Sequence, residues 1–374
     1  MTRIEDVHAR LFHVPLDRVL VDARHGDHTY FELVTCTIRL SDGSEGTGYT
    51  YTGGKGGHAI LAALRHDLSP FLLGRDGADV EGLFDAMLWH VHYVGRGGIM
   101  SFAISAVDIA LWDARGQRRG RSLRAMAGGA AADCRAYCGG IDLGFDRDEL
   151  LDSVRGYVAA GAGGVKIKVG RPDLSDDAAR VAAVRDLIGP DLPFMVDANY
   201  AFDVPRAIEA ARAFAPARPT WFEEPIIPDD YDGYAAVALA TGMPLAMGEN
   251  LHVLEEFDHA FARATLSFVQ PDGSNCGGIT GFLRVAERAR RHGVTLCSHG
   301  MQELHVSLIA GLPGDGWIEV HSFPIDRYTT RPLAMADGRA RAPDAPGTGV
   351  TFDWDRLAEA DLLRGAMAPA RSTA

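Results

Sequence analysis

Hydrophobic and polar positions divide the chain into two parts with different patterns. In the first part, residues 2–16 alternate between apolar and polar side chains, and residues 30–40 and 46–52 are rich in aromatic, β-branched or alternating positions, which predicts three strands. A polar loop is expected between the first two strands, and Ser41-Asp42-Gly43 predicts the turn before the third. Helical spacing follows at about 59–73, 80–92 and 101–118. Strands first and helices after predict an α+β domain over residues 1–130.

In the second part, short apolar runs alternate with helical stretches. The eight runs are 135–138, 165–169, 194–196, 220–222, 245–247, 267–269, 295–297 and 317–320. This alternation predicts a (β/α)8-type barrel over residues 131–322. A doubly wound sheet can use the same alternation, but no GxGxxG motif follows the first of these strands. Residues 323–374 are interrupted by Pro and Gly, and we expect them to pack back on the first domain.

Composition limits the class of protein. The chain has 374 residues, 47% of them hydrophobic and 23% charged, which is typical of a soluble globular protein larger than one simple core. A formal net charge of -13 disfavours a nucleic-acid or anionic-membrane partner. The start of the chain lacks the apolar core of a signal peptide, and no segment reaches membrane-spanning length. The five cysteines are scattered without a CxxC pair, so we expect reduced thiols in a cytoplasmic protein.

Lysine is rare in this chain and is placed unevenly. It occurs at Lys55, Lys166 and Lys168, whereas the other basic residues are arginine. Alternation along a strand sends Lys166 and Lys168 to the same face. Because each raises the cost of charging the other, we expect one of them to be partly neutral near pH 7 and to act as a base. Two solvated lysines at a strand end are the simpler alternative.

Acidic residues close three consecutive runs of the predicted barrel. They are Asp197 in MVDAN, Glu223 in WFEEP and Glu249 in MGEN. In a barrel these side chains meet at the C-terminal mouth, where their charges repel unless a hard cation lies between them. Ligands that are all oxygen, without Cys or His, favour Mg²⁺. A single acid would instead be a solvated strand end or a helix cap.

Further polar residues end the last three runs. Asp272 and His299 lie on adjacent strands, where a carboxylate can orient an imidazole and stabilise its protonated form. A protonated Glu319 on the opposite side of the site would be a hydrogen-bond donor. A metal flanked by a lysine and a His–Asp pair suits removal of a proton alpha to a carboxylate. The spacing of His305 and His321 does not single out either residue.

An ordered set of motifs connects these residues. KxK, VDxN, EEP, GEN, PD and SH, followed by WxE, extend from about 135 to 319 and resemble the mandelate racemase subgroup of the enolase superfamily, whose capping domain is similar to the α+β start. The resemblance implies a homo-oligomer and a full set of site residues. By that resemblance the Mg²⁺ ligands are Asp197, Glu223 and Glu249, the bases are Lys168 (assisted by Lys166) and His299 with Asp272, Glu319 is the electrophilic acid, and Asn199 contacts substrate.

The subgroup contains racemases and many sugar-acid dehydratases, so the barrel motifs leave the reaction open. Polar residues of the first domain, with Arg24, His25, Tyr51 and Lys55 as candidate substrate contacts, favour a polyhydroxylated or doubly charged small-molecule carboxylate. We therefore expect dehydration of a mono- or diacid sugar to a 2-keto-3-deoxy acid. The alternatives are a racemase or epimerase of a 2-hydroxy or related carboxylate, and a lactone cycloisomerase. A sugar-acid sensor is a non-enzymatic alternative, but it would be expected to lack one of the matched ligands or bases.

Overall fold

The first part of the chain is a three-stranded antiparallel sheet packed against helices, in a computed structural model that describes residues 2–365. The strands, in the order β1-β2-β3, are β1 (Ile4–Asp22), β2 (Gly26–Leu40) and β3 (Glu45–Thr52). The helices are α1 (Gly57–Ala62), a π-helical turn (Ala63–Leu68), α2 (Ser69–Leu72), α3 (Val80–His90), a 3₁₀ turn (His92–Val94), α4 (Ile99–Arg119) and α5 (Leu123–Met126). The predicted α+β capping domain is confirmed, and we call it the cap.

The polar stretch at residues 17–29 is not the loop that the sequence predicts. β1 and β2 remain paired up to Asp22 and Gly26, after an irregularity between Pro15 and Leu20. The pairing continues because the tip of this hairpin lies on the second domain, where the Val21 N–H donates to the Ile141 carbonyl at 3.3 Å. Polarity here therefore marks a hairpin that reaches over the barrel.

The second part is a parallel barrel of eight strands. They are β4 (Asp133–Gly139), β5 (Val165–Lys168), β6 (Phe194–Asp197), β7 (Phe222–Glu223), β8 (Leu245–Met247), β9 (Phe268–Val269), β10 (Thr295–Leu296) and β11 (Trp317–Val320). Strands β4 to β10 pair in sequence order, and β11 pairs with β4. The ring closes between β10 and β11 with a hydrogen bond from the Ser298 N–H to the Trp317 carbonyl at 3.0 Å. The predicted barrel is confirmed.

Seven helices separate the eight strands in the part of the chain that the structure describes. They are α6 (Arg147–Ala159), α7 (Leu174–Ile188), α8 (Val204–Phe214), α9 (Tyr231–Thr241), α10 (Leu254–Arg263), α11 (Gly278–His292) and α12 (Gln302–Gly311), with a 3₁₀ turn at Ala215–Ala217. A barrel core of aromatic and apolar side chains fills the interior below the mouth, including Tyr137, Trp221 and Trp317. The polar strand ends therefore rest on a packed floor.

The segment after β11 contacts both domains rather than the cap alone. It begins with a 3₁₀ turn (Ile325–Tyr328), and the hairpin of β12 (Met335–Ala336) and β13 (Arg339–Arg341) adds antiparallel to β4 of the barrel. Helix α13 (Trp354–Ala360) packs on β1, and a 3₁₀ turn (Leu362–Gly365) follows. Residues 366–374 of the predicted C-terminal segment lie outside the described residues. Within residues 2–365, none of the helices combines the length and apolar character needed to cross a bilayer.

Candidate active site

Two buried lysines lie on β5 among carboxylates. Lys166 Nζ is 2.5 Å from Glu223 Oε1, and Lys168 Nζ is 2.5 Å from Asp197 Oδ2. Burial is the largest single influence and lowers the pKa of Lys168, but the carboxylates of Asp197, Glu249 and Glu223 together raise it more, so the pKa lies above its ordinary value. The expectation that repulsion between the two ammonium groups leaves one lysine partly neutral is therefore wrong for this arrangement, because the attraction of the carboxylates exceeds that repulsion.

The three acids of the predicted metal site come together. One oxygen from each of Asp197, Glu223 and Glu249 lies within 4.8 Å of the others. Burial raises the pKa of Glu223 to about 7, and the neighbouring carboxylates add to the shift while Lys166 opposes it. Glu249 Oε2 is buried and accepts no hydrogen bond within residues 2–365, although His299 Nε2 lies 3.2 Å away. An all-oxygen cluster in which one carboxyl has a raised pKa fits a hard divalent cation.

An imidazole and a carboxylate form the predicted pair next to these acids. His299 Nδ1 is 2.8 Å from Asp272 Oδ2, and the Tyr51 hydroxyl of the cap donates to the same oxygen at 2.7 Å. Burial would lower the pKa of His299, but Glu249, Asp272 and Glu319 raise it to about 10. Since β6, β7 and β8 lie between β5 and the strands that lead to Asp272 and His299, the lysine and the imidazole flank the acid cluster from two sides.

Glu319 is an ionised carboxylate in this arrangement, not the neutral acid that the sequence suggests. Its Oε1 lies 2.9 Å from Lys166 Nζ. Burial raises the pKa of Glu319, but the Lys166 and His299 cations lower it below its usual range. The sequence places Glu319 opposite the bases but does not show that Lys166 lies beside it, and this nearby cation favours the ionised form. Lys166 therefore joins Glu223 to Glu319 across the floor of the site.

A cavity of about 330 Å³ opens above these groups, between the barrel mouth and the cap. Asn199, His25, Tyr51 and Lys55 line it, as the sequence predicts for substrate contacts. Asn199 has a left-handed backbone, and its Oδ1 is buried without a hydrogen-bond partner in the described chain. Lys168, Glu249, Asp272 and His299 also face this cavity. It is therefore the place where a substrate can meet both candidate bases.

Arg24 is not among the residues that line the cavity, and its role as a substrate contact stays a prediction. Its guanidinium donates to the carbonyls of Tyr200 and Ala201, each at 3.2 Å. Next to it, Asp22 Oδ2 accepts from His25 at 3.0 Å and from His28 at 2.9 Å. The Arg24 bonds hold the β1–β2 hairpin on the barrel, and the Asp22 bonds fix His25 and His28 within the hairpin, at the outer wall of the cavity.

His321 is a cavity residue that the sequence did not single out. Its ring lies 5.0 Å from the His299 ring, and the Phe323 N–H donates to its Nδ1 at 3.1 Å. The bond to Nδ1 leaves the proton of a neutral ring on Nε2. The available signal was alternation, since His321 follows Glu319 by two positions at the end of β11 and so shares its face.

Comparisons with known proteins place the chain among characterised enzymes. The family description "Mandelate racemase / muconate lactonizing enzyme, N-terminal domain" matches residues 8–128, and "Enolase C-terminal domain-like" matches residues 149–356. A 3,6-anhydro-alpha-L-galactonate cycloisomerase of Streptomyces coelicolor is 44% identical over 95% of this chain and 98% of its own. An L-talarate/galactarate dehydratase of Salmonella typhimurium is 35% identical over 95% and 92%.

A solved structure agrees in fold and in metal. The structure of a racemase from Streptomyces coelicolor with bound magnesium is 43% identical, covers 96% of this chain and 100% of its own, and has a TM-score of 0.93. The cofactor of this fold is thus Mg²⁺, as the sequence predicts, and the cluster of Asp197, Glu223 and Glu249 fits that ion.

Proposed function

Because the chain belongs to the mandelate racemase/muconate lactonizing enzyme family of the enolase superfamily, we propose that it is a Mg²⁺-dependent cycloisomerase that opens the ring of an anhydro sugar acid. Its full-length similarity to the Streptomyces cycloisomerase carries this proposal. The chain is an enzyme of a family whose relatives act on sugar acids, as dehydratases or cycloisomerases. The dehydration favoured by the sequence becomes the second candidate.

In a 3,6-anhydro sugar acid the ring oxygen is bonded to C3, the carbon beta to the carboxylate. Mg²⁺ held by Asp197, Glu223 and Glu249 would offset the negative charge that raises the pKa of Lys168 and of His299, so that one of the two can be neutral. We propose that this neutral group removes the proton from C2 and that the other, still protonated, gives a proton to the ring oxygen as the C3–O bond breaks. The resulting enol rearranges to a 2-keto-3-deoxy acid with the same composition as the substrate. Dehydration follows the same course with a free β-hydroxyl, which leaves as water.

Asp197, Glu223 and Glu249 would hold the metal, which supplies positive charge against the negative charge that develops on the substrate carboxylate. Around it, the chain provides the rest of the chemistry. Asp272 and the Tyr51 hydroxyl fix the orientation of His299. Lys166 bridges Glu223 and Glu319, which keeps both carboxylates in place beside the site. Asn199 offers an unpaired buried oxygen to a substrate hydroxyl.

The outer wall of the cavity favours a compact monoacid over an extended diacid. It combines the apolar side chains of Ile60, Ile99 and Phe102 with the carboxylates of Asp22 and Asp27. These two acids would repel a second carboxylate that lies on this wall and does not reach Lys55, which raises the energy of the complex. The carbon face of a cyclic ether would instead pack on the apolar side chains.

Dehydration of a diacid such as talarate or galactarate is supported by one feature of the cavity. Lys55 lines it at the exposed end, and its ammonium makes no ion pair within residues 2–365. It is the cation that a distal carboxylate would reach. The 35% identical dehydratase gives this second candidate its support.

Product mass separates the two candidates. We expect the purified protein with Mg²⁺ to convert 3,6-anhydro-L-galactonate to a keto acid that semicarbazide traps and that has the mass of its substrate. Galactarate and talarate, tested in parallel, would give a product lighter by one water if dehydration is the activity. Reaction in D₂O should place one deuterium at C3 of the product, because the enol takes its proton from solvent.

The variants Lys168→Ala and His299→Asn serve as controls for contaminating activity. Each removes one proposed base while leaving the three carboxylates, so Mg²⁺ should still bind and turnover should be lost. Turnover of galactarate or talarate without any turnover of the anhydro acid would overturn the cycloisomerase proposal. Turnover that survives both substitutions would overturn the two-base mechanism.

A further inference from the structure

His305 occupies an unusual position for a histidine that does not face the cavity. It lies in the first turns of α12 and is fully buried. Its ring stacks on Phe282 of α11, with the ring centres 5.0 Å apart. Both ring nitrogens have backbone partners, one in the loop after β9 and one in the loop after β10. The ring therefore joins two loops that are distant in sequence.

The partners define which nitrogen carries the proton. The Gly273 N–H donates to Nε2 at 3.0 Å, so Nε2 accepts with its lone pair and carries no proton. Nδ1 lies 2.7 Å from the Gly300 carbonyl, which can only accept, so Nδ1 carries the proton. A single neutral tautomer satisfies both bonds. A protonated ring could not accept from the Gly273 N–H, and an apolar side chain of the same size would make neither contact.

The two loops are those that carry the proposed His–Asp pair. Gly273 follows Asp272 directly, and Gly300 follows His299 directly. Both neighbours are glycines packed tightly, since a Cβ on Gly273 would lie 2.8 Å from His305 Nε2 and a Cβ on Gly300 would lie 2.1 Å from the Tyr51 hydroxyl oxygen. The imidazole ring of His305 thus sets the distance between the backbone at Gly273 and the backbone at Gly300, which directly follow Asp272 and His299.

We propose that His305 is a positioning residue that fixes the distance and orientation of His299 relative to Asp272. It acts from behind the pair, from the barrel side, whereas Tyr51 acts on Asp272 from the cap. A displacement of either loop lengthens the 2.8 Å bond between His299 Nδ1 and Asp272 Oδ2 and turns the imidazole away from the cavity. The proposal rests on the role given to this pair in the proposed function.

Three substitutions at this position test the proposal. His305→Asn places an amide near the position of Nδ1 and retains the donor to Gly300, and His305→Gln places one near Nε2 and retains the acceptor for Gly273. His305→Phe retains the ring and removes both bonds. Leu308→Ala is the matched control, because it removes a fully buried side chain from the same helix and leaves both hydrogen bonds of His305 in place.

The expected result is a fall in kcat with KM and the Mg²⁺ dissociation constant changed less than about twofold. We expect kcat to fall about 10- to 100-fold for His305→Asn and His305→Gln, as for other residues that orient a functional imidazole. The kcat of His305→Phe should fall further than that of either amide variant.

Leu308→Ala should lower the unfolding temperature and leave kcat within about twofold of the parent protein at a temperature where both are folded. A purely structural role would make kcat follow the unfolding temperature across all four variants, and that pattern would overturn the proposal.

A second readout requires no turnover and so remains informative if the proposed function is wrong. Nitrogen NMR of the Mg²⁺-loaded protein labelled with ¹⁵N-histidine reports the tautomer of each ring, and the signal absent from His305→Asn belongs to His305. We expect a neutral ring with its proton on Nδ1, and a changed His299 signal in His305→Asn. A protonated His305, a proton on Nε2, or an unchanged His299 signal would overturn the positioning role. Failure of every sugar acid to react, with these signals as expected, would contradict only the proposed function.

Discussion

Asp272 connects His299 of the barrel to Tyr51 of the cap, because its Oδ2 accepts from both side chains. We predict that Tyr51→Phe lowers kcat about 10- to 100-fold, since it removes one of the groups that orient the base. The lost hydrogen bond should cost about 1 kcal/mol of stability. Steady-state kinetics at saturating Mg²⁺, together with thermal unfolding, measure the two effects.

Tyr49→Phe is the matched control for this change. Tyr49 lies two positions earlier on β3, and its hydroxyl donates to Glu303 instead of to the pair. Burial raises the pKa of Glu303 to about 8, which favours its neutral form near pH 7, and a neutral carboxyl group depends less on the hydrogen bond from the tyrosine than a carboxylate does. We expect Tyr49→Phe to lose stability and to retain kcat. Equal losses of kcat in both variants would contradict the assignment of Tyr51 to the pair.

Sequence patterns identified the residue types of the site but not their charges. Lys166, Asp197 and His299 are recognisable because strand ends meet at one mouth and because lysine is rare elsewhere. The ionised state of Glu319 could not be predicted, because it depends on a 2.9 Å contact with Lys166, which lies two strands away around the barrel. The two hydrogen bonds of the His305 ring could not be predicted for a similar reason, since its partners are backbone groups of loops distant in sequence.

The contact between β3 and α4 determines the position of Tyr51, which lies on β3. Gly46 and Gly48 of β3 leave no room for a side chain, since a Cβ on Gly48 would lie 2.1 Å from the Ala106 carbonyl oxygen of α4. We predict that Gly48→Ala separates the strand from the helix and costs about 1–3 kcal/mol, as overpacking of a core does. Because the displaced strand carries Tyr51, kcat should fall as well.

Gly156→Ala is the control for the effect of replacing glycine. Gly156 is exposed within α6, and nothing lies within 4 Å of the Cβ that alanine would add. Alanine there should stabilise the helix by up to about 1 kcal/mol. Thermal unfolding and kcat measured on both variants separate the two outcomes. A Gly48→Ala protein as stable and active as the parent would show that α4 does not fix the position of β3.

Periodicity identified the barrel strands more successfully than the hairpin over the mouth. The strands β5 to β8 are short runs buried on both sides, and such runs are visible in a sequence. The hairpin at residues 17–29 is polar because one face meets the cavity, which removes the pattern that marks a strand. Likewise the β12–β13 hairpin is too short to show a period, so its pairing with β4 came from the structure.

For the whole molecule, the acid cluster makes stability depend on metal and pH together. In the metal-free protein, the pKa of Glu223 is about 7, above its ordinary value of 4.5. Between these values the folded state holds a proton that the unfolded state has lost. The contribution of this group to the free energy of unfolding therefore decreases as pH rises through that window.

Magnesium should reverse that trend, because the ion requires the ionised form of Glu223 and proton and metal compete for it. We predict that the increase in unfolding temperature produced by a fixed Mg²⁺ concentration is small at pH 6 and larger at pH 8. Saturation at 100 times the dissociation constant corresponds to about 2.7 kcal/mol. Thermal unfolding with Mg²⁺ or with EDTA, at each pH, measures this stabilisation.

Glu223→Gln, which keeps the shape of the side chain and removes the titrating group, should show little stabilisation by Mg²⁺ at either pH. A pH-independent shift in the parent protein, or an equal shift in the variant, would place the metal elsewhere than between these three strands.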